Sequence, residues 1–151
     1  MKKILENLIN EGLLQKETGI KSDQISRRLK RAAIDLNNSR LLLNEDAVGA
    51  FTMAYDAMLQ AGIALILSLG YRPKVVNFHK TVTAAAGEIL GAGYSAIVKG
   101  FDQMRKNRHQ AVYDAIIISQ SEAEAAIKIS QEFIKRVNDY ISEKSPQKRL
   151  L

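Results

Sequence analysis

Apolar residues recur every three or four positions along almost the whole chain, and this spacing predicts one buried face on each of several α-helices. No segment alternates convincingly like a β-strand, and only two prolines interrupt the 151 residues. A chain of this length can bury a core of its own as one domain. The sequence therefore predicts an all-α protein, an up-and-down bundle of about five helices with an additional N-terminal helix.

Capping signals place the ends of the first predicted helices. The first helix ends near Gly19, and either Ser22 or Asp23 caps the second. Asn44 is predicted to cap a third helix over residues 45–69. That segment is apolar or small on most sides, which is typical of a helix in the centre of a bundle.

The second half of the chain is interrupted by glycines and ends in another helix. A fourth helix is predicted over residues 76–90 and a fifth from Tyr94 onward. Ser119 and Glu122 have the spacing of a capping box that starts the last helix. We expect residues 1–21 to form an N-terminal helical extension, residues 22–144 the bundle, and residues 145–151 a flexible tail.

Composition excludes several classes of site. There is no cysteine, so disulfides and thiolate chemistry are ruled out, and the chain has only two histidines, thirty residues apart. No glycine-rich phosphate loop is present. We expect neither a metal nor a cofactor. The net charge of +6 permits an acidic partner such as nucleic acid, although a solvated basic surface would have the same composition.

Nothing in the sequence predicts a membrane segment. Acidic and amide residues from Glu6 onward interrupt the apolar run that a signal peptide would need after Met1-Lys-Lys. The longest apolar stretch, residues 57–69, is too short to span a bilayer. We expect a cytoplasmic protein without a membrane partner.

Polar chemistry is concentrated between Arg105 and Asp114. On a helix, Arg105, Arg108 and His109 share a face, and Tyr113 continues it. A guanidinium can hold a phosphate and an imidazole can move a proton near neutral pH. The other interpretation is structural, with Arg108 paired to a carboxylate such as Asp56 and Tyr113 closing the core.

Several short runs in a fixed order resemble the HEPN family, over about residues 22–142. They are Arg31-Ala-Ala-Ile-Asp-Leu, Ala54-Tyr55-Asp-Ala57, Ala64-Leu65-Ile-Leu, Gly70-Tyr-Arg-Pro73, His79, Arg108-His-Gln-Ala-Val-Tyr-Asp114 and Ser119-Gln-Ser-Glu. The resemblance implies a small helical bundle that forms a homodimer. It also implies either metal-independent ribonuclease activity or, in members without the motif, RNA binding or partnership with a minimal nucleotidyltransferase in a toxin–antitoxin pair.

The family's ribonuclease motif is an Arg, a polar neighbour and a His several residues later. Arg108 matches the Arg and His109 the neighbour, but Tyr113 occupies the position of the His. A phenol with a pKa near 10 is a poor general base at neutral pH. We therefore favour a non-catalytic protein that binds RNA, a nucleotide or a separate nucleotidyltransferase.

The candidate catalytic residues are Arg108, His109 and Tyr113, with Tyr113 in place of the motif histidine. Arg105, Lys106 and Arg108 are the predicted phosphate ligands, and Asp56 and Asp114 support them. Two alternatives remain, namely an active ribonuclease that uses Arg108 and His109, and a purely structural interaction subunit. The polar stripe from Asp56 to Gln60 is predicted to face Arg108. His79 is interpreted as a packed or hydrogen-bonded helix histidine.

Overall fold

The computed structural model describes residues 3–144, and six α-helices account for most of them. The elements in chain order are α1 (Lys3–Asn10), β1 (Leu14–Lys16), α2 (Ser22–Leu42), α3 (Ala47–Ser68), β2 (Tyr71–Pro73), α4 (Phe78–Leu90), α5 (Ser95–Tyr113) and α6 (Gln120–Lys144). A single 3₁₀ turn, Ala92–Tyr94, separates α4 from α5. The predicted all-α bundle with an extra N-terminal helix is confirmed.

Helix α3 is the centre of the bundle, and α2, α4, α5 and α6 all pack on it. Most of its side chains are buried, as its apolar composition predicts. Two buried serines, one on α2 and one on α6, form hydrogen bonds to the backbone of α3. The hydroxyl of Ser39 on α2 donates to the carbonyl of Ala50, and that of Ser130 on α6 donates to the carbonyl of Ala54.

The apolar character of α3 belongs to a core helix. Within residues 3–144 it is the one helix whose length and composition would allow it to cross a membrane, but 78% of that apolar window is buried inside the bundle. Gly62 allows this close packing, because a β-carbon there would lie 2.5 Å from Cγ1 of Val82 on α4. The cytoplasmic location stays a prediction.

The first helix is shorter than predicted, and a small sheet follows it. Helix α1 ends at Asn10, where Gly12 adopts a φ of +75° and the amide of Leu13 bonds the carbonyl of Leu8, as in a Schellman motif. Strand β1 then pairs antiparallel with β2, with Gln15 opposite Arg72. A three-residue strand is too short to show alternation, and its partner is far away in sequence, so the local pattern could not reveal this sheet.

Most other predicted boundaries shift by one to three residues. Lys21 rather than Ser22 or Asp23 precedes α2, and the carboxylate of Asp46 rather than Asn44 accepts the amide of Gly49 at the start of α3. The capping box of Ser119 and Glu122 is confirmed, since the amide of Glu122 donates to the Ser119 hydroxyl at 3.1 Å. The predicted tail, 145–151, lies outside the described residues.

The residues before α2 are attached to the bundle at two places. Helix α1 packs against α4, and β1 pairs with β2 between α3 and α4. The guanidinium of Arg72 on β2 also binds the Glu17 carboxylate next to β1, with 2.6 Å between Nη2 and Oε2. The division at residue 21 into an extension and a bundle stays a prediction.

Candidate functional site

Helix α5 carries the polar segment seen in the sequence and divides it between two environments. Arg105 and Arg108 are half-buried, whereas His109 and Tyr113 are exposed. The rings of His109 and Tyr113 contact each other, with centroids 4.6 Å apart. Asp114 is exposed at the C-terminal end of the helix. The structure thus separates Arg108 from the solvent-facing histidine beside it in the sequence.

The guanidinium of Arg108 lies over an aromatic ring in the interior. Its central carbon is 5.8 Å from the centre of the Tyr55 ring on α3, within the range of a cation–π contact. The Nε atom is buried and has no hydrogen-bond partner among residues 3–144. No carboxylate in that range forms an ion pair with Arg108 within 4.0 Å. Most buried donors in folded proteins have a partner, so an unpaired one is an unusual feature of this position.

Tyr55 is completely buried, and its hydroxyl lies 2.8 Å from Nδ1 of His79 on α4. The two rings are nearly parallel, at 5°, and Phe101 and Phe133 extend the aromatic core behind Tyr55. Burial raises the pKa of Tyr55 far above its ordinary value of 10, although Arg108 and Arg105 act in the opposite direction. The phenol therefore keeps its proton, and because Nδ1 is the only hydrogen-bond partner of this buried hydroxyl among the described residues, we assign the tautomer in which the hydroxyl donates to Nδ1.

This hydrogen bond defines the state of His79. Burial lowers the pKa of His79 below 6.5, and the positive charges of Arg108 and Arg105 lower it further. The imidazole is consequently neutral at pH 7. Because Nδ1 accepts the hydrogen bond from the Tyr55 hydroxyl in this tautomer, the proton of the neutral ring lies on Nε2. His79, predicted to be a packed or hydrogen-bonded helix histidine, has such a hydrogen bond, and the charge of Arg108 acts on its ring.

Two carboxylates set the charge around these residues. Burial raises the pKa of Asp56, and the charge of Asp35 raises it further while Arg108 opposes both. Burial alone would raise the pKa of Asp102 on α5, but hydrogen bonds from Arg105 and Lys106 outweigh burial and lower it. Nε of Arg105 is 3.0 Å from Asp102, and the Lys106 ammonium is 3.4 Å away. Arg105 and Lys106 thus share one carboxylate, whereas Arg108 has no carboxylate partner among residues 3–144.

Part of the predicted site is therefore brought together. Asp56 lies within the electrostatic range of Arg108, as predicted for the polar stripe, but Gln60 accepts a hydrogen bond from Arg28 instead, at 3.0 Å. The sequence analysis missed Asp102, although its spacing of three and four residues before Arg105 and Lys106 was visible. It also assigned Tyr55 no bond to His79, because nothing in the sequence pairs residues 24 positions apart.

Residues 3–144 contain no group of three or more His, Asp or Glu side chains placed to hold a metal ion. The chemistry of the site is carried by Arg108, Tyr55 and His79. We refer to these three residues, with Asp56, as the Arg108 site. It combines a partly buried cation and an imidazole donor, two groups suited to an oxyanion, while the Asp56 carboxylate lies outside ion-pair distance of Arg108.

The family model of the HEPN domain matches residues 25–140. The chain belongs to the HEPN family. The match contains the whole Arg108 site and begins within α2, so α1 and β1 lie outside it. HEPN domains are nucleotide-binding and ribonuclease-like domains that commonly dimerise and bind RNA. No curated protein matches this HEPN chain.

Proposed function

We propose that this HEPN protein binds RNA or a nucleotide through Arg108 and does not cleave RNA. The supporting observation is the buried Nε of Arg108, which has no acceptor among the described residues. An unsatisfied buried donor costs about 1–3 kcal/mol, and more when it is charged. Because no carboxylate of residues 3–144 forms an ion pair with Arg108, a phosphate bound by its guanidinium would offset the positive charge.

The hydrogen bonding of His79 and the exposure of Tyr113 favour binding over catalysis. A general base in the site would need an unprotonated ring nitrogen directed at the substrate. In His79 the only unprotonated nitrogen, Nδ1, already accepts the Tyr55 hydroxyl at 2.8 Å. Tyr113 occupies the position of the family's histidine and is 70% exposed. In the assigned tautomer, His79 can donate to a phosphate from Nε2, while Nδ1 is occupied by the Tyr55 hydroxyl.

We further propose that a second copy of the chain covers the end of α5. Four large apolar side chains are exposed there: Val112, Tyr113, Ile116 and Ile117, the last of them 87% exposed. An apolar patch of this kind is typical of a protein interface. It begins four residues after Arg108, so a dimer formed through it would bring two Arg108 sites near each other. A separate nucleotidyltransferase is the alternative occupant that the family resemblance implies.

The test compares RNA binding and RNA cleavage by the wild type and three variants in the absence of divalent metal. Fluorescence anisotropy with a short single-stranded RNA should show binding that weakens steeply with salt, because bound phosphates release counterions. Arg108→Gln should weaken it by about tenfold or more, the effect of losing one charge-assisted bond of about 1.5–3 kcal/mol. Arg40→Gln is the matched control, since Arg40 is exposed and bonds only Gln131 on α6 among the described residues.

The third variant, Tyr113→His, restores the family's imidazole and separates the two activities. We expect no cleavage by the wild type and measurable cleavage by Tyr113→His. Cleavage by the wild type that Arg108→Gln abolishes would contradict the non-catalytic proposal and establish a ribonuclease. RNA binding that is equally strong in Arg108→Gln and the wild type would show that the Arg108 site is not the binding site.

A further inference from the structure

A cavity with a volume of about 400 Å³ lies between α2, α3 and β2. It shares no lining residue with the Arg108 site. Four arginines and two glutamines line it together with Leu67: Gln24, Arg27, Arg28, Arg31, Gln60 and Arg72. No carboxylate from residues 3–144 is part of the lining. We call this cavity the arginine pocket.

The arginines reach the pocket from separate parts of the chain. Three of them come from two successive turns of α2, while Arg72 lies on β2, more than forty residues later. An ordinary solvated helix face would account for the first three. It does not account for Arg72, whose position depends on the pairing of β1 with β2 and on its ion pair with Glu17. The fold therefore brings a fourth guanidinium, ion-paired with Glu17, beside the three of α2.

Two of the guanidinium groups are held in place and still have donors to offer. Arg72 binds Glu17 through Nε and Nη2, and Arg31 binds Asp35 through the same two atoms. A guanidinium has five N–H donors in a rigid fork, so Nη1 of each remains for another acceptor. Side chains fixed in this way lose little conformational freedom when a ligand binds.

Arg28 is the most available cation in the pocket. It forms no ion pair with a carboxylate in residues 3–144, and its Nη1 donates to the amide oxygen of Gln60 at 3.0 Å. The pair between Arg27 and Asp23 is long, at 3.4 Å, and both side chains are mostly exposed. Such an exposed pair contributes little and can exchange its partner for a ligand.

We propose that the arginine pocket binds adjacent phosphate groups, carried either by a free oligophosphate such as a nucleoside triphosphate or by an RNA backbone. Arginine forks match phosphate oxygens in geometry and charge. The volume of about 400 Å³ lies in the range of small-ligand sites. No aromatic side chain from the described residues lines the pocket, so it has no surface on which a base could stack. It therefore recognises phosphates without regard to the base.

The test uses inorganic tripolyphosphate as the probe and calorimetric titration of the full chain at low salt. We expect binding to the wild type, weakened about tenfold or more in Arg28→Gln through loss of one charge-assisted contact. Lys30→Gln is the matched control, because it removes the same charge from the same helix at an exposed position outside the pocket. Lys30→Gln should change the affinity for tripolyphosphate by less than about twofold, as expected for a screened surface charge.

Further arms separate this proposal from the Arg108 site and identify the source of the phosphates. Arg28→Gln should weaken tripolyphosphate binding in the Arg108→Gln background by the same factor as in the wild type, because the two sites share no residue, so failure of one proposal leaves the other intact. ATP and UTP should bind about equally. RNA binding that weakens in Arg28→Gln but not in Lys30→Gln would assign the pocket to the RNA backbone, and RNA binding unchanged in Arg28→Gln would assign it to a free oligophosphate.

Two results would overturn the proposal. One is absence of tripolyphosphate binding to the wild type at low salt. The other is an equal loss in Arg28→Gln and Lys30→Gln, which would describe a diffuse basic surface. Thermal melting of each variant identifies any that does not fold. Arg27→Gln then serves as a second pocket variant, since Arg27 is 71% exposed and its loss leaves the core untouched.

Discussion

The hydrogen bond between Tyr55 and His79 fixes the protonation state of the site, and Tyr55→Phe removes it while changing one atom. The ring of Tyr55 stays in the core, where it is 0% exposed, but Nδ1 of His79 loses its donor. Leaving a buried acceptor unpaired costs about 1–3 kcal/mol. His79 is only partly buried, so water can compensate in part, and we expect about 1.5 kcal/mol. For a chain of this size that corresponds to a Tm lower by about 3–6 °C.

The free energy of unfolding should be measured by urea denaturation at pH 8, where His79 is neutral in both states. A double-mutant cycle adds His79→Leu and the combined variant, and we expect a coupling of about 1 kcal/mol between the two sites. Tyr71→Phe is the control, because the Tyr71 hydroxyl has no hydrogen bond to another described residue, and its effect should stay within about 0.5 kcal/mol. Additivity within about 0.3 kcal/mol would refute the hydrogen bond and, with it, the assigned donor role of Nε2.

Two further predictions concern pH and association. Because the pKa of His79 lies below 6.5 in the folded state, the unfolded state takes up a proton first, so stability should fall as the pH drops below about 6.5. Urea unfolding between pH 7.5 and about 5 should show a smaller fall in His79→Leu than in the wild type, and equal slopes would rule out the lowered pKa. Ile117→Glu should convert a dimer to a monomer in light scattering, whereas Val75→Glu, at an equally exposed position in the β2–α4 connection, should not. If both variants stayed dimeric or both became monomeric, the end of α5 would not be the interface.

The polar segment of α5 was visible in the sequence, but its division between two environments was not. The pattern placed Arg105, Arg108 and His109 on one face, since offsets of three and four residues are neighbours on a helix. Packing on α3 buries the side of α5 that carries Arg108 and leaves His109 in solvent. Which face of α5 is buried depends on the helix that it packs against, so the sequence of α5 alone does not determine it.

The sequence by itself determined the helical class, the central position of α3 and the capping box of Ser119 and Glu122. These features depend on spacings of three to four residues, which are fixed by the geometry of a single helix. Only the tertiary structure decided the pairing of β1 with β2, the contact of Tyr55 with His79 and Arg108, and the arrival of Arg72 among the arginines of α2. Each joins residues far apart in the chain, so their proximity depends on how all the elements pack together.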